Sequence, residues 1–144
     1  MTEPGPEWDS LVDAAWAARE NAYAPYSNFR VGAAILIKGG AVAVGCNIEN
    51  ASYPLCLCAE RAALANAVAQ HGAKPGDIWA IAVVAEAPNR VPPCGACRQA
   101  LSEFGTDVHV LLSNQRGGFA HWTLRELLPN AFSPRDLATQ ENDR

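Results

Sequence analysis

Residues 78–85 read Ile-Trp-Ala-Ile-Ala-Val-Val-Ala with no polar interruption. A run of this length is too short to cross a bilayer, which takes roughly 20 residues, and too continuous for a strand with one wet face. It predicts a central strand buried on both sides, and such a strand needs helices on both faces of its sheet. The chain supplies three. Residues 7–23 are Ala-rich and set Trp8, Leu11, Val12, Ala15 and Ala18 at helical spacing until Pro25 stops the run. Residues 58–72 place Ala59, Ala62, Ala63, Leu64, Ala67 and Val68 in the same period, with Gly72 as a stop, and Pro92-Pro93 introduces a further helix over 94–104.

The remaining strands follow from turn chemistry. Residues 29–38 and 41–46 flank Gly39-Gly40, a two-residue loop able to adopt the positive φ angles of a tight hairpin. Residues 108–112 form another strand and 119–122 an edge strand, followed by a short helix over 123–128 that ends at Pro129. The order predicts an α/β chain folded as a three-layer α/β/α sandwich, a mixed five-stranded sheet with helices on both faces. We expect a single domain over residues 1–144, with 1–6 and 140–144 as loose ends. Right-handed crossovers through the two middle helices bring the N-terminal ends of both to the same edge of the sheet.

Charge narrows the partners. Lys and Arg number 11 against 15 acidic residues, and no basic cluster offers a stripe for tracking phosphates, so a nucleic-acid partner is not expected. No membrane partner is expected either. Residues 1–6 lack a charged and then apolar leader, which leads us to expect a cytoplasmic protein. In that reducing compartment the five cysteines are to be tested first as metal ligands rather than as disulfides.

Their spacing answers to that test. Cys58-Ala59-Glu60 opens one helix and Pro93-Cys94-Gly95-Ala96-Cys97 opens the next, so Cys58, Cys94 and Cys97 are expected to converge on one zinc ion. Three protein ligands leave a fourth position for water, which separates a catalytic zinc from a closed structural one. Glu60, two residues after Cys58, is the expected proton carrier, able to reach that water without being a ligand. Three thiolates around a dication leave a net negative charge. The N–H groups at the two helix starts withdraw part of it, with Arg61 as the expected neutraliser beside the ligands and Arg98 as a second candidate. Cys56 is a rival to Cys58, though the carboxylate two places on favours Cys58. Cys46 and Cys56 are otherwise read as semi-buried thiols, and His71, His109 and His121 as structural or surface residues.

The segments around these residues resemble the small cytidine deaminases. Ala24-Pro25-Tyr26-Ser27-Asn28-Phe29-Arg30-Val31-Gly32-Ala33-Ala34 is similar to the family's first strand with its lead-in, and Gly45-Cys46-Asn47-Ile48-Glu49-Asn50-Ala51-Ser52-Tyr53 to its nucleoside-binding segment. Cys58-Ala59-Glu60-Arg61, Pro93-Cys94-Gly95-Ala96-Cys97-Arg98-Gln99 and Leu127-Leu128-Pro129-Asn130-Ala131-Phe132 follow in the family's order. The resemblance implies a zinc-dependent homotetramer, with one zinc per chain, that converts cytidine and deoxycytidine to the uridine products in pyrimidine salvage. By position it implies that Phe29 packs on the pyrimidine, and that Asn47 and Glu49 bond the sugar hydroxyls. The Ala59 N–H would take the base carbonyl and the Pro92 carbonyl the exocyclic amine. Many relatives carry Ser or Thr where this chain has Pro92, which keeps the carbonyl. Tyr53 and Phe132 are implied as contributors to a neighbouring subunit's site.

Two other readings stand beside this one. A related zinc deaminase of another aminated heterocycle or nucleoside antibiotic would use the same metal and acid–base set, although Asn47 and Glu49 favour a ribose. In a structural zinc-binding interaction module, Cys46 or Cys56 would complete a four-sulfur site and Glu60 would be an ordinary surface residue.

Overall fold

The structure is a computed structural model and describes residues 6–137. It contains α1 (Pro6–Arg19), β1 (Gly32–Ile37), β2 (Val42–Cys46), α2 (Ala59–His71), β3 (Ile78–Val84), α3 (Gly95–Ser102), β4 (His109–Ser113), β5 (Ala120–Thr123) and α4 (Leu124–Leu127). Single turns of 3-10 helix lie at Tyr53–Leu55 and Pro134–Leu137. The strands form one five-stranded sheet in the order β2-β1-β3-β4-β5. β1 pairs antiparallel with both β2 and β3, β3 is parallel to β4, and β4 is antiparallel to β5, so the sheet is mixed as the sequence predicts.

Alternation along the strands divides the core in two. Ala34, Leu36, Ala80, Ala82, Val84 and Leu111 face α1, where Trp8, Leu11, Val12, Ala15 and Trp16 cover them. On the other face Ala33, Ile35, Ile81, Val83, Val110 and Leu112 meet Ala59, Ala63 and Ala67 of α2 and Leu101 of α3. The β2-α2-β3 and β3-α3-β4 connections step the same way across the sheet, so a common right hand puts α2 and α3 on one face. Both helices follow strands that run in the same direction, and their N-termini therefore meet at one sheet edge.

Several boundaries depart from expectation for reasons visible in the hydrogen bonds. α1 ends at Arg19 rather than near residue 23, because the Tyr23 N–H donates to the Asn47 carbonyl and the Tyr23 carbonyl accepts from Glu49 N–H. Residues 29–31 are not part of β1. The Asn47 side chain takes the Val31 N–H at 2.9 Å and donates to the Phe29 carbonyl at 2.7 Å, in place of a strand partner. Pro6 opens α1 instead of belonging to a loose end. Residues 1–5 and 140–144 lie outside the described residues. Gly32 is required where it stands, since a β-carbon there would lie 2.8 Å from the Arg19 amide of α1.

His109 and His121 take structural places, as read from the sequence. Their rings meet at 2.9 Å between Nδ1 and Nε2, and both pack on the fully buried Trp8. Among the described residues no helix is long and apolar enough to cross a membrane.

Candidate active site

Cys58 and Cys94 are the N-cap residues of α2 and α3, each in extended conformation, and Cys97 lies one turn inside α3 with its side chain buried. Their three sulfurs lie within 4.8 Å of one another. Tetrahedral zinc with bonds of about 2.3 Å to thiolate sets sulfurs about 3.8 Å apart, so the donor set and its spacing fit that ion. Among the described residues this is the only cluster of three or more candidate ligands, and Cys46 and Cys56 stand outside it. A closed four-sulfur site is therefore not formed. Cys56 instead accepts the Asn50 N–H at 3.3 Å, and burial pushes the Cys46 thiol up.

The electrostatics of the cluster favour bound cation. Burial pushes the Cys97 thiol far up, and the negative charges of Glu60 and Cys58 add to that. Burial also opposes the Cys94 thiolate, but hydrogen bonds from Cys97, Cys58 and the Ala96 N–H outweigh it and hold Cys94 below its ordinary value. Arg61 Nη2 donates to Cys58 Sγ at 3.5 Å, and the thiolates of Cys58 and Cys97 hold its guanidinium firmly protonated. Its Nε is buried without a partner among the described residues. Arg98 is placed differently from the second-neutraliser role. Its Nε donates to the Pro93 carbonyl at 2.8 Å and its Nη1 to the Leu127 carbonyl at 2.6 Å, bracing the turn before Cys94 against α4.

Glu60, the second residue of α2, is only 5% exposed. Burial pushes its carboxyl above the ordinary range, against smaller opposing effects from its own N–H, the Cys97 thiol and Arg61. It lines a cavity of about 270 Å³ together with Cys58, Cys94, Phe29, Asn47, Glu49, Ala59 and Pro92. Eight of the residues singled out from the sequence thus share one wall system. Cys97 and Arg61 sit behind it. The cavity also uses Val31, Ile48, Cys56, Leu57, Val83 and Val91, which sequence reasoning did not assign. Val83 carried a signal as a member of the central apolar run, Cys56 as the rival ligand, and Val31 and Ile48 as members of the family-like segments, whereas Leu57 and Val91 carried none.

Glu49 accepts from the Tyr26 and Ser27 N–H groups at 2.9 and 3.1 Å and from the Ser27 hydroxyl. The Ser27 hydroxyl bond, the largest influence, holds its carboxyl below the usual range against desolvation, and the two N–H groups add to that lowering. Tyr53 lies outside the cavity, edge-on to Tyr26 with ring centroids 5.9 Å apart, and lines an adjoining hollow that shares Glu49 and Cys56. Phe132 is 59% exposed in a separate groove beside Phe104, where its carbonyl accepts from Gln99 Nε2. Neither aromatic enters this chain's own cavity.

Comparison with known proteins agrees with this geometry. The Cytidine and deoxycytidylate deaminase zinc-binding region matches residues 6–113. The chain is 52% identical over 128 residues to the cytidine deaminase of Halalkalibacterium halodurans, covering 88% of this chain and 95% of that protein. It is 41% identical over 134 residues to the cytidine deaminase of Mycobacterium tuberculosis, covering 93% and 96%. The crystal structure of cytidine deaminase from Burkholderia pseudomallei superposes with a TM-score of 0.81 at 52% identity, over 85% of this chain and 97% of that one. A helix-covered mixed sheet, a three-sulfur cluster suited to zinc and a buried carboxylate in the same cavity are thus found in a chain that belongs to the cytidine and deoxycytidylate deaminase zinc-binding family, with zinc as its cofactor.

Proposed function

We propose that this protein catalyses the hydrolytic deamination of cytidine and deoxycytidine to uridine and deoxyuridine, with release of ammonia. One observation carries the reading. A single cavity joins two of the three metal-binding cysteines, Cys58 and Cys94, and Glu60 to an aromatic wall and two polar residues suited to a sugar.

Zinc held by Cys58, Cys94 and Cys97 supplies a Lewis acid that renders a water nucleophilic near neutral pH. Every other part of the task falls to the chain. Glu60 takes the proton of the attacking water, hands it to ring N3 and then carries a proton to the departing amine. Its burial favours this shuttle, because a carboxyl lifted toward the working pH both accepts and releases a proton readily. The Ala59 N–H is one of the unpaired donors at the α2 N-terminus and receives the base carbonyl. The Pro92 carbonyl accepts from the exocyclic amine, which also selects a base that carries one. Phe29 covers the pyrimidine face, and Asn47 and Glu49 bind the sugar, whose absence would leave polar groups unpaired. Arg61 offsets the charge of the thiolates.

The working protein in this reading is a homotetramer in the cytoplasm, serving pyrimidine salvage, with Tyr53 and Phe132 covered by neighbouring copies. Their exposure supports that arrangement, since large apolar side chains left in water favour a partner. The test is the ultraviolet absorbance of cytidine and of cytosine mixed with the protein, with and without zinc chelation. Loss of the cytidine band alone, abolished by chelation, is the expected result. No change with either substrate, in protein carrying one zinc per chain, would move the assignment to another aminated heterocycle.

A further inference from the structure

We infer that Ser27 is a positioning residue for sugar recognition, its one hydroxyl locking the base-covering Phe29 and the sugar-binding Glu49 into a single hydrogen-bonded unit. This rests on the nucleoside reading of the cavity.

The hydroxyl has one proton and two lone pairs. Its proton goes to Glu49 Oε2, and one lone pair accepts the Phe29 N–H at 3.0 Å. The direction of the chain is therefore fixed, because an ionised carboxylate only accepts and a backbone N–H only donates. Phe29 is held at its other end as well, where its carbonyl accepts from Asn47 Nδ2 at 2.7 Å. The two residues proposed to bind the sugar thus each hold one side of the residue proposed to cover the base. Asn28, between Ser27 and Phe29, has φ 56° in the left-handed region, a conformation that such anchoring helps to maintain.

Counting acceptor positions shows what the lock leaves for substrate. A carboxylate offers about four lone-pair sites, two on each oxygen. Oε1 of Glu49 is filled by the N–H groups of Tyr26 and Ser27, and Oε2 already takes the Ser27 hydroxyl. One acceptor position remains, on Oε2, so Glu49 receives a single sugar hydroxyl at a place set by Ser27. The same bonds hold the carboxyl below its usual range and keep it ionised.

Removing the hydroxyl opens a second position on Oε2, frees the carboxylate to turn and leaves the Phe29 N–H without its acceptor. With zinc-loaded protein, Ser27→Ala is expected to raise KM for cytidine by roughly tenfold or more, the effect of one hydrogen bond to a charged group, while kcat changes far less. The acid limb of the KM–pH profile should move to higher pH as the Glu49 carboxyl returns toward its ordinary value. Ser27→Thr, which keeps the hydroxyl, should restore most of the wild-type KM, and Ser27→Cys, a weaker donor of similar size, should lie between. Wild-type KM and acid limb in Ser27→Ala would overturn the inference. So would equal KM values for the Thr and Cys variants, or a fall in kcat and zinc content with KM unchanged, which is the signature of a collapsed loop. Absence of cytidine turnover in the wild-type protein would instead overturn the nucleoside reading itself.

Discussion

The Ala59 carbonyl of α2 lies 2.6 Å from where a β-carbon on Gly45 of β2 would stand. The helix that opens on Cys58 therefore rests on bare strand backbone, and this close approach fixes the height of Cys58 and Glu60 above the sheet. Gly45→Ala is expected to push the first turn of α2 outward. Overpacking of this kind costs about 1–3 kcal/mol, and here the strain falls on backbone that has no rotamer to yield. Zinc per chain and melting temperature should both drop. Val44→Ala, on the exposed side of the same strand, should change neither by much.

Glu60→Gln separates metal binding from proton transfer. The amide fills the same space but cannot carry a proton, so zinc content should stay at wild type while turnover falls by about 10²–10⁴-fold. Full turnover in this variant would remove Glu60 from the mechanism.

The same substitution has an opposite effect on stability in protein stripped of zinc. Burial raises the folded-state value of the Glu60 carboxyl above its ordinary 4.5. The folded state therefore binds the proton more tightly than the unfolded one, and stability present below that value is lost as pH rises through the raised folded value. Gln at position 60 has no such loss. Zinc-free Glu60→Gln should melt above zinc-free wild type at pH 8, and the gap should shrink as the pH is lowered toward 4. A gap that does not depend on pH would show that burial of charge is not its source.

How far the site was legible depends on what fixed each part of it. The ligand pattern could be read because Cys58, Glu60, Cys94 and Cys97 lie within the first turns of two helices, where sequence spacing is spatial spacing. The sheet could be read because 78–85 and the Gly39-Gly40 hairpin leave few arrangements that bury both faces. The bonds made by Asn47, Ser27 and Arg98 had no such signal. Asn47 and Arg98 bond carbonyls 18 and 29 residues away that only folding brings near, and Ser27 takes the Phe29 N–H two residues on in a loop with no period. Phe29 shows the consequence, since its segment reads as strand yet Asn47 takes the backbone groups that a neighbouring strand would have paired.

Arg61 and Arg98 now make separable claims on the metal. Arg61 touches sulfur, whereas Arg98 holds the carbonyl of Pro93, immediately before Cys94. Residues that orient or polarise metal ligands typically contribute about 10–100-fold to metal affinity or activity. Arg61→Ala should lower turnover with little change in melting temperature. Arg98→Ala should lower melting temperature and zinc affinity together, because it releases the carbonyls of Pro93 and Leu127 at once. If Arg61→Ala leaves zinc affinity and turnover at wild-type values, it is not the neutraliser.

Thr123→Ala should change stability alone. Thr123 caps α4 through its side chain, which accepts from the Glu126 N–H, while the Glu126 carboxylate returns to the Thr123 N–H at 2.9 Å and so completes a capping box. Loss of such a cap costs about 1 kcal/mol. For a chain of this size that corresponds to a melting point lower by about 3 °C. The structure gives this role a pH signature. The Thr123 hydroxyl, ahead of the Thr123 N–H, holds the Glu126 carboxyl below its ordinary value of 4.5. Its contribution is thus complete above that value and disappears as pH falls through the lowered folded one. The difference in melting temperature between Thr123→Ala and wild type should be steady from pH 6 to 8 and narrow below about pH 4, with cytidine turnover unchanged at neutral pH. A difference that persists undiminished in acid would place the effect in the bond from the Glu126 N–H to the Thr123 hydroxyl and not in the Glu126 carboxylate.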